Sequence, residues 1–512
     1  MNIEHVEKSY QELESDSTLQ NLIAQANARY ILYNTEESKE NFPRYTIKDE
    51  QLNILAFKYL NIGCNYFSEH NYLKASHSLE KGALILEYIH GSIHIQTKNK
   101  KLFCLISALS YYVCFQYSKA FILIGKLESD TMISSLVSLF LNRKFDQLLS
   151  EIDKLITNSS YGDEYLAEHF EEDNATKIYE IIIAKSLNYY VQFYQTGNKD
   201  FLEIAKKDLV NLQEVAAMRG EPDVWWVIRL LLLIIDGFKE SSLWYVLGNY
   251  FNTEDKLPLK YIQSLVYKNG SITELFLTQR NSLPKVLNNK QGSIVSIPTS
   301  SGKTRIGEIA ILNCLLNEPK AKILFIAPYR SLAYEIENSF DEIFSNLDVS
   351  VSHLYGGSLF SKLDERIIDE SSVIVATPEK AKALFRSNED ILSCIKLVII
   401  DEGHLLGTDK RLIVNEMFYE ELKYHVKANG GRFLLLSAVL PNAEDLSEWL
   451  TDSTDNVYKE NWRPSDERIG IMEWNGVSVN LNWKSTDAER NSFNPNFIMR
   501  QKLPKKPKER IM

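Results

Sequence analysis

The sequence predicts two unlike halves: an all-helical hairpin array, then a parallel-sheet α/β domain. Two changes of texture carry that prediction. Up to about residue 262 glycine is scarce and apolar residues recur at three- and four-residue steps, which line one face of a helix. Polar turn clusters at 158–164 (NSSYGDE) and 194–200 (YQTGNKD) separate the helical stretches. From about residue 263, five short apolar runs (SIVSI, AKILFIAP, SSVIVATP, IKLVIIDE and RFLLLSAV) alternate with amphipathic helical segments. Runs apolar on both faces read as strands covered on both sides, and such sheets bind ligands at the carboxyl ends of their strands.

The 512 residues suffice for two to four domains, and 45% hydrophobic with 24% charged residues is ordinary for a globular protein. A net charge of -11 excludes a globally basic nucleic-acid coat, so any nucleic-acid contact must come from a local patch. The five cysteines, Cys64, Cys104, Cys114, Cys314 and Cys394, lie far apart with no C-x-x-C, which fits reduced thiols in a cytoplasmic protein. The most apolar run, Val224 to Ile235, is too short to span a bilayer and contains Arg229. No membrane role is expected.

In the helical half one spacing recurs. Gly63, Tyr66 and Ala75 are matched by Ala108, Tyr111 and Ala120, small residues that let helices approach with a tyrosine filling the gap. The pattern resembles a tetratricopeptide helix pair, but the copies lie 45 residues apart, where that repeat has a period of about 34. A loose hairpin array follows, either packing on the next domain or binding a protein partner. His90 and His94 are expected at a surface or turn, not on a metal, because Gly91 and Ser92 intervene. Trp225 and Trp226 beside an aliphatic run are expected in a core.

In the second half every polar motif follows a predicted strand. SIVSI leads into Pro298-Thr-Ser-Ser-Gly-Lys-Thr304 and then a helix. The usual phosphate-loop pattern has a glycine where this chain has Ile297. A loop entering a helix still aims backbone N–H groups from Thr299, Ser300, Ser301 and Gly302 at one point, where a phosphate can sit. Lys303 supplies charge for the β- and γ-phosphates, and Thr304 a hydroxyl for Mg²⁺. IKLVIIDE ends in Asp401 and Glu402, followed by Gly403 and His404. Two adjacent acids at the end of a buried strand call for a cation. Asp401 is assigned to Mg²⁺, and Glu402 to orienting and deprotonating an attacking water. Lys303 and the Asp401–Glu402 couple are expected to converge from neighbouring strand ends onto one ATP.

Together PTSSGKT and DEGH resemble motifs I and II of superfamily 2 DExH helicases, with a RecA-like ATP-binding lobe. TPEK (377–380) with SAVLPN (437–442) is most similar to the superkiller-type branch, and also to helicase subunits of bacterial antiphage defence systems. The resemblance implies that Gln279 reads the adenine. It implies that Arg330, Gly356, Gly357, Thr377 and Lys380 meet a nucleic-acid strand. It further implies that His404 and Ser437 relay between the two sites.

Two departures stand out. The third motif reads Ser437-Ala438-Val439 where the family has a threonine, which removes a hydroxyl link to the second motif. The family's second RecA-like lobe, with its γ-phosphate arginines, has no match after the connector-like NWRPSDER. That lobe is expected from a longer product, or else from a separate polypeptide. A transition-state arginine is worth about 10³ to 10⁵ in rate, so weak ATP binding and slow hydrolysis are expected of this chain alone. The predicted domains are 1–262, helical; 263–455, RecA-like; and 456–512, a connector, β-hairpin and basic tail. The expected function is an ATP-dependent helicase or translocase on single-stranded or duplex nucleic acid. The alternative is a nucleotide-switched assembly module working through its helical half.

Overall fold

The computed structural model describes residues 3–34, 49–91, 100–127, 131–158, 172–352, 362–387, 393–405, 410–438, 440–463, 470–474 and 479–483. The chain divides into two compact units. The first comprises Met1–Val191, Asn198–Gly237 and Ser465–Met512; the second comprises Gln192–Gly197 and Phe238–Pro464.

Helices run through the first 241 residues: α1 (Ile3–Ser15), α2 (Ser17–Asn34), α3 (Asp49–Ser68), α4 (Tyr72–His90), α5 (Lys100–Val113), α6 (Tyr117–Gly125), α7 (Met132–Leu141), α8 (Phe145–Asn158), α9 (Glu172–Thr196), α10 (Asp200–Arg219) and α11 (Pro222–Ser241). Three hairpins share one turn. His70, Phe115 and Arg143 have φ of 58°, 63° and 56°. In each, the next residue's N–H donates to the carbonyl five residues back: Asn71 to Tyr66, Gln116 to Tyr111, Lys144 to Leu139. This pattern closes a helix by satisfying its last carbonyls. The turns lie 45 and then 28 residues apart, so what repeats is the turn, while helix lengths vary.

The small–aromatic–small spacing is also explained. A Cβ on Gly63 would come within 2.5 Å of the Leu79 side chain and 2.9 Å of its backbone nitrogen. Tyr66, Ala75, Tyr111 and Ala120 are all buried. Tyr66 donates to Glu7 (2.6 Å) and Tyr111 to Glu87 (3.1 Å). Lys74 and Lys119 lie 5.6 and 5.4 Å from the respective ring centroids and pair with Glu7 and Glu80. His90 is half-buried with Nδ1 3.0 Å from the Lys100 carbonyl, and burial lowers its pKa; His94 lies outside the described residues. Trp225 and Trp226 are half-buried, with Trp226 5.2 Å from Phe57. Cys64, Cys104, Cys114 and Cys314 are buried free thiols, and Cys394 is exposed. Among the described residues no helix is long and apolar enough to cross a membrane.

The second unit continues with α12 (Leu243–Gly248), α13 (Lys256–Val266) and α14 (Leu277–Leu287), then β1 (Gly292–Ser296), α15 (Lys303–Asn317), β2 (Lys322–Ile326), α16 (Arg330–Phe344), α17 (Lys362–Glu370), β3 (Val373–Ala376), α18 (Pro378–Ser387), β4 (Ile395–Ile400), α19 (Lys410–Ala428), β5 (Arg432–Ser437), α20 (Ala443–Thr451) and β6 (Val457–Lys459). All six strands are parallel, in the order β3-β2-β4-β5-β1-β6. The fold is a RecA-like parallel sheet. β1 is buried along its whole length, as expected of a central strand covered on both faces. Ile294, Leu324, Val398, Phe433 and Leu435 lie in one core with Leu422 and Val426 of α19. Because the strands are parallel, the segments after β1 to β5 emerge on one edge. The expected adjacency of the two motif strands is corrected: β5 lies between β1 and β4. After Pro464, β7 (Gly470–Trp474) and β8 (Val479–Trp483) pair antiparallel as the expected β-hairpin; residues 475–478 between them lie outside the described residues.

Candidate nucleotide site

β1 ends at Ser296, and the chain turns through residues 297–302 before α15 begins at Lys303. Two non-consecutive residues of this turn are left-handed, Ser300 with φ 68° and Gly302 with φ 76°. Glycine adopts this conformation without strain; serine does so at a cost. A Cβ on Gly302 would also meet Gln279 Nε2 at 2.1 Å. The turn makes a concave loop at the first turn of a 15-residue helix, where unpaired N–H groups favour an anion. Ser301 Oγ is buried with no hydrogen-bond partner among the described residues. A buried orphan hydroxyl at the mouth of such a loop fits a phosphate oxygen as its partner. Thr299 and Ser300 are exposed, while Gly302, Lys303 and Thr304 are half-buried.

On the other side of β5, β4 delivers Asp401 and Glu402. Glu402 is left-handed, φ 54°, and its N–H donates to Asp401 Oδ1 (2.9 Å). Lys303 Nζ lies 3.3 Å from Glu402 Oε2, so the two strand ends meet across the intervening strand. His404 Nδ1 is 3.2 Å from Glu402 Oε2 and 3.4 Å from Ser437 Oγ at the end of β5. Asp401 is 8% exposed. Burial, followed by the adjacent Glu402 charge, pushes its pKa up to about 6. The Thr304 hydroxyl and Asp401 carboxylate are hard oxygen donors of the kind Mg²⁺ takes alongside nucleotide phosphates.

Residues 277–446 match the family described as DEAD/DEAH box helicase. This stretch is a DEAD/DEAH box helicase domain. Over 500 residues the chain is 41% identical to the Hachiman protein HamB of Bacillus cereus, covering 97% of this chain and 44% of that protein. Over 218 residues it is 33% identical to the ATP-dependent DNA helicase Hel308 of Thermococcus kodakarensis, covering 43% of this chain and 18% of that one. A solved structure of the DUF1998 helicase MrfA bound to DNA and AMPPNP overlaps 40% of this chain and 30% of its own, at 19% identity and a TM-score of 0.36. The chain thus spans less than half the length of these two relatives.

Within the helicase domain, both ends of the Gln279 amide are engaged. Its Oε1 accepts from Phe276 N (2.9 Å), and its Nε2 donates to the Gly302 carbonyl (3.0 Å). Gln279 therefore ties the phosphate loop to the start of α14. Arg330 is exposed at the first turn of α16, beyond the end of β2. Thr377 follows β3, and its hydroxyl accepts from Lys380 N (3.4 Å). Lys380 is only 6% exposed, which leaves little of it for a passing strand. A recess lined by Pro328, Tyr329, Pro378, Asp401 and Glu402 brings the segments after β2 and β3 beside the acid pair. Gly356, Gly357 and Val439 lie outside the described residues.

Two features were missed in the sequence. Ser296 Oγ donates to the Ala438 carbonyl (3.2 Å) and accepts from Leu440 N (2.9 Å). A serine in a strand buried along its whole length was the available signal, since a buried hydroxyl needs a partner. Behind the phosphate loop, buried Glu308 pairs with Arg305 and accepts from Tyr261 (3.1 Å), and burial pushes the Glu308 carboxyl pKa up.

Proposed function

We propose that the chain binds ATP with Mg²⁺ at the site built from Thr299 to Thr304, Asp401 and Glu402, and that hydrolysis drives movement along a nucleic-acid strand. The observation that carries this reading is the 3.3 Å approach of Lys303 to Glu402 from strands on either side of β5. In the resting site the carboxylate neutralises the ammonium. A triphosphate in the loop offers Lys303 a stronger anion, and release of Glu402 frees its carboxylate to take a proton from an attacking water. When bound, Mg²⁺ supplies charge to the phosphate oxygens. Asp401 and Thr304 would hold it. Residues 299–302 orient the phosphates through backbone N–H groups, and His404 positions Glu402. A strand would pass Arg330 and Thr377 by its sugar–phosphate backbone.

We further propose that turnover needs a second α/β lobe facing this one, because phosphoryl transfer draws about 10³ to 10⁵ in rate from an arginine reaching the γ-phosphate. A steady-state ATPase assay on this chain, with and without single-stranded DNA or RNA, tests the reading. The expected result is weak basal hydrolysis that rises when a second lobe is added. Helicase-like turnover by the chain alone would refute the dependence on that lobe.

A further inference from the structure

The recess bounded by the segments after β2, β3 and β4 and by α19 encloses about 30 Å³. A water needs roughly 10–15 Å³ on that measure, so about two fit. Pro328, Pro378, Ile400 and Leu412 give the recess apolar walls, while Asp401, Glu402 and Asn415 give it polar groups. Asn415, on α19, is 7% exposed. Its Oδ1 accepts from Lys382 Nζ of α18 (2.8 Å). Lys382 is itself placed, with Nζ 5.5 Å from the Phe418 ring centroid. An ammonium only donates, so this contact fixes which end of the Asn415 amide faces it. The Nδ2 donor is the end left over, and it makes no hydrogen bond among the described residues. A buried amide donor calls for a partner. The carboxylates that share the recess with it only accept when ionised. A water that accepts from Asn415 Nδ2 and donates to a carboxylate satisfies both.

We propose that Asn415 is a positioning residue that holds water in this recess against Glu402, and that this is the water Glu402 activates for attack on the γ-phosphate. The proposal rests on the nucleotide reading given above. In the attack the water oxygen bonds to the γ-phosphorus and one water proton passes to Glu402. The bond from that phosphorus to the β,γ-bridging oxygen breaks, and ADP leaves with that oxygen. Asn415 exchanges no proton. Its N–H occupies one lone pair of the water, leaves the other for phosphorus and turns an O–H toward Glu402.

Two measurements on this chain test it. A crystal structure that shows ordered waters should place one within about 2.7–3.2 Å of both Asn415 Nδ2 and a Glu402 oxygen. A recess without such a water overturns the proposal. The second measurement is single-turnover hydrolysis of Mg²⁺–ATP beside AMPPNP affinity. Asn415→Asp keeps an acceptor for Lys382 and loses the donor. It should lower the rate about 10- to 100-fold while AMPPNP affinity stays within about 2-fold. Asn415→Leu should do the same, and serves if the aspartate variant does not fold. Lys382→Met, which keeps the Asn415 donor, should lose less than about 3-fold. A wild-type rate in the Asn415 variants overturns the proposal. So does a fall in rate matched by an equal fall in AMPPNP affinity, or a loss in Lys382→Met as large as theirs. A wild type that binds AMPPNP and hydrolyses no ATP also overturns it. A wild type that binds no AMPPNP overturns the nucleotide reading instead.

Discussion

Lys303 and Glu402 hold each other in the resting site, so both are committed before any ligand arrives. Lys303→Ala removes the one side-chain cation placed at the loop's first helical residue. Hydrogen bonds to charged groups are worth about 1.5–3 kcal/mol, so ATP affinity should fall about 10- to 100-fold by fluorescence titration. Asp401 makes a pH prediction. Its folded pKa of about 6 lies above the ordinary 3.8, so the native state binds this proton more tightly than the unfolded chain. The group's contribution to stability is therefore greatest below about pH 4 and is lost as pH rises through about 6. Asp401→Asn should be more stable than wild type at pH 7.5 by on the order of 2–3 kcal/mol in urea unfolding, with the advantage shrinking as pH is lowered to 4.5. An advantage that does not change with pH would contradict this account of the buried carboxylate.

Elements carry their own tests. The α3–α4 hairpin depends on Gly63, where an added Cβ meets Leu79 backbone as well as side chain. Gly63→Ala should cost about 1–3 kcal/mol. Gly125→Ala at the end of α6, with open space around the added Cβ, should change stability by less than about 1 kcal/mol. Thermal unfolding of the two variants side by side decides. Arg305→Met leaves Glu308 buried without its ion-pair partner and should cost about 3–5 kcal/mol. The elements also show what a sequence can reveal. β1 to β5 were legible because each is a short, mostly apolar run set between helical segments. β6 was not, because it is three residues long and none is buried; it exists by pairing with β1. The places of Asp401 and Glu402 were legible because they directly follow β4, and that of Lys303 because it opens the helix after the loop that follows β1. Ser296 was not, because its partners lie more than 140 positions away. The resemblance assigns Gln279 to an adenine; in addition its Oε1 accepts from Phe276 N and its Nε2 donates to the Gly302 carbonyl. Those two contacts depend on the burial of the amide, which residue type alone does not reveal.

At the scale of the whole molecule, one parallel sheet brings the segments after β1, β4 and β5 to a common edge, and the proposed activity depends on that convergence. The most direct measurement is calorimetric titration of Mg²⁺–AMPPNP into wild type, Lys303→Ala, Asp401→Asn and the double variant, with and without Mg²⁺. One shared site predicts that each single change weakens binding, that Asp401→Asn abolishes the gain from Mg²⁺, and that the two losses are not additive. Binding in both single variants equal to wild type, or Mg²⁺ dependence untouched by Asp401→Asn, would contradict it.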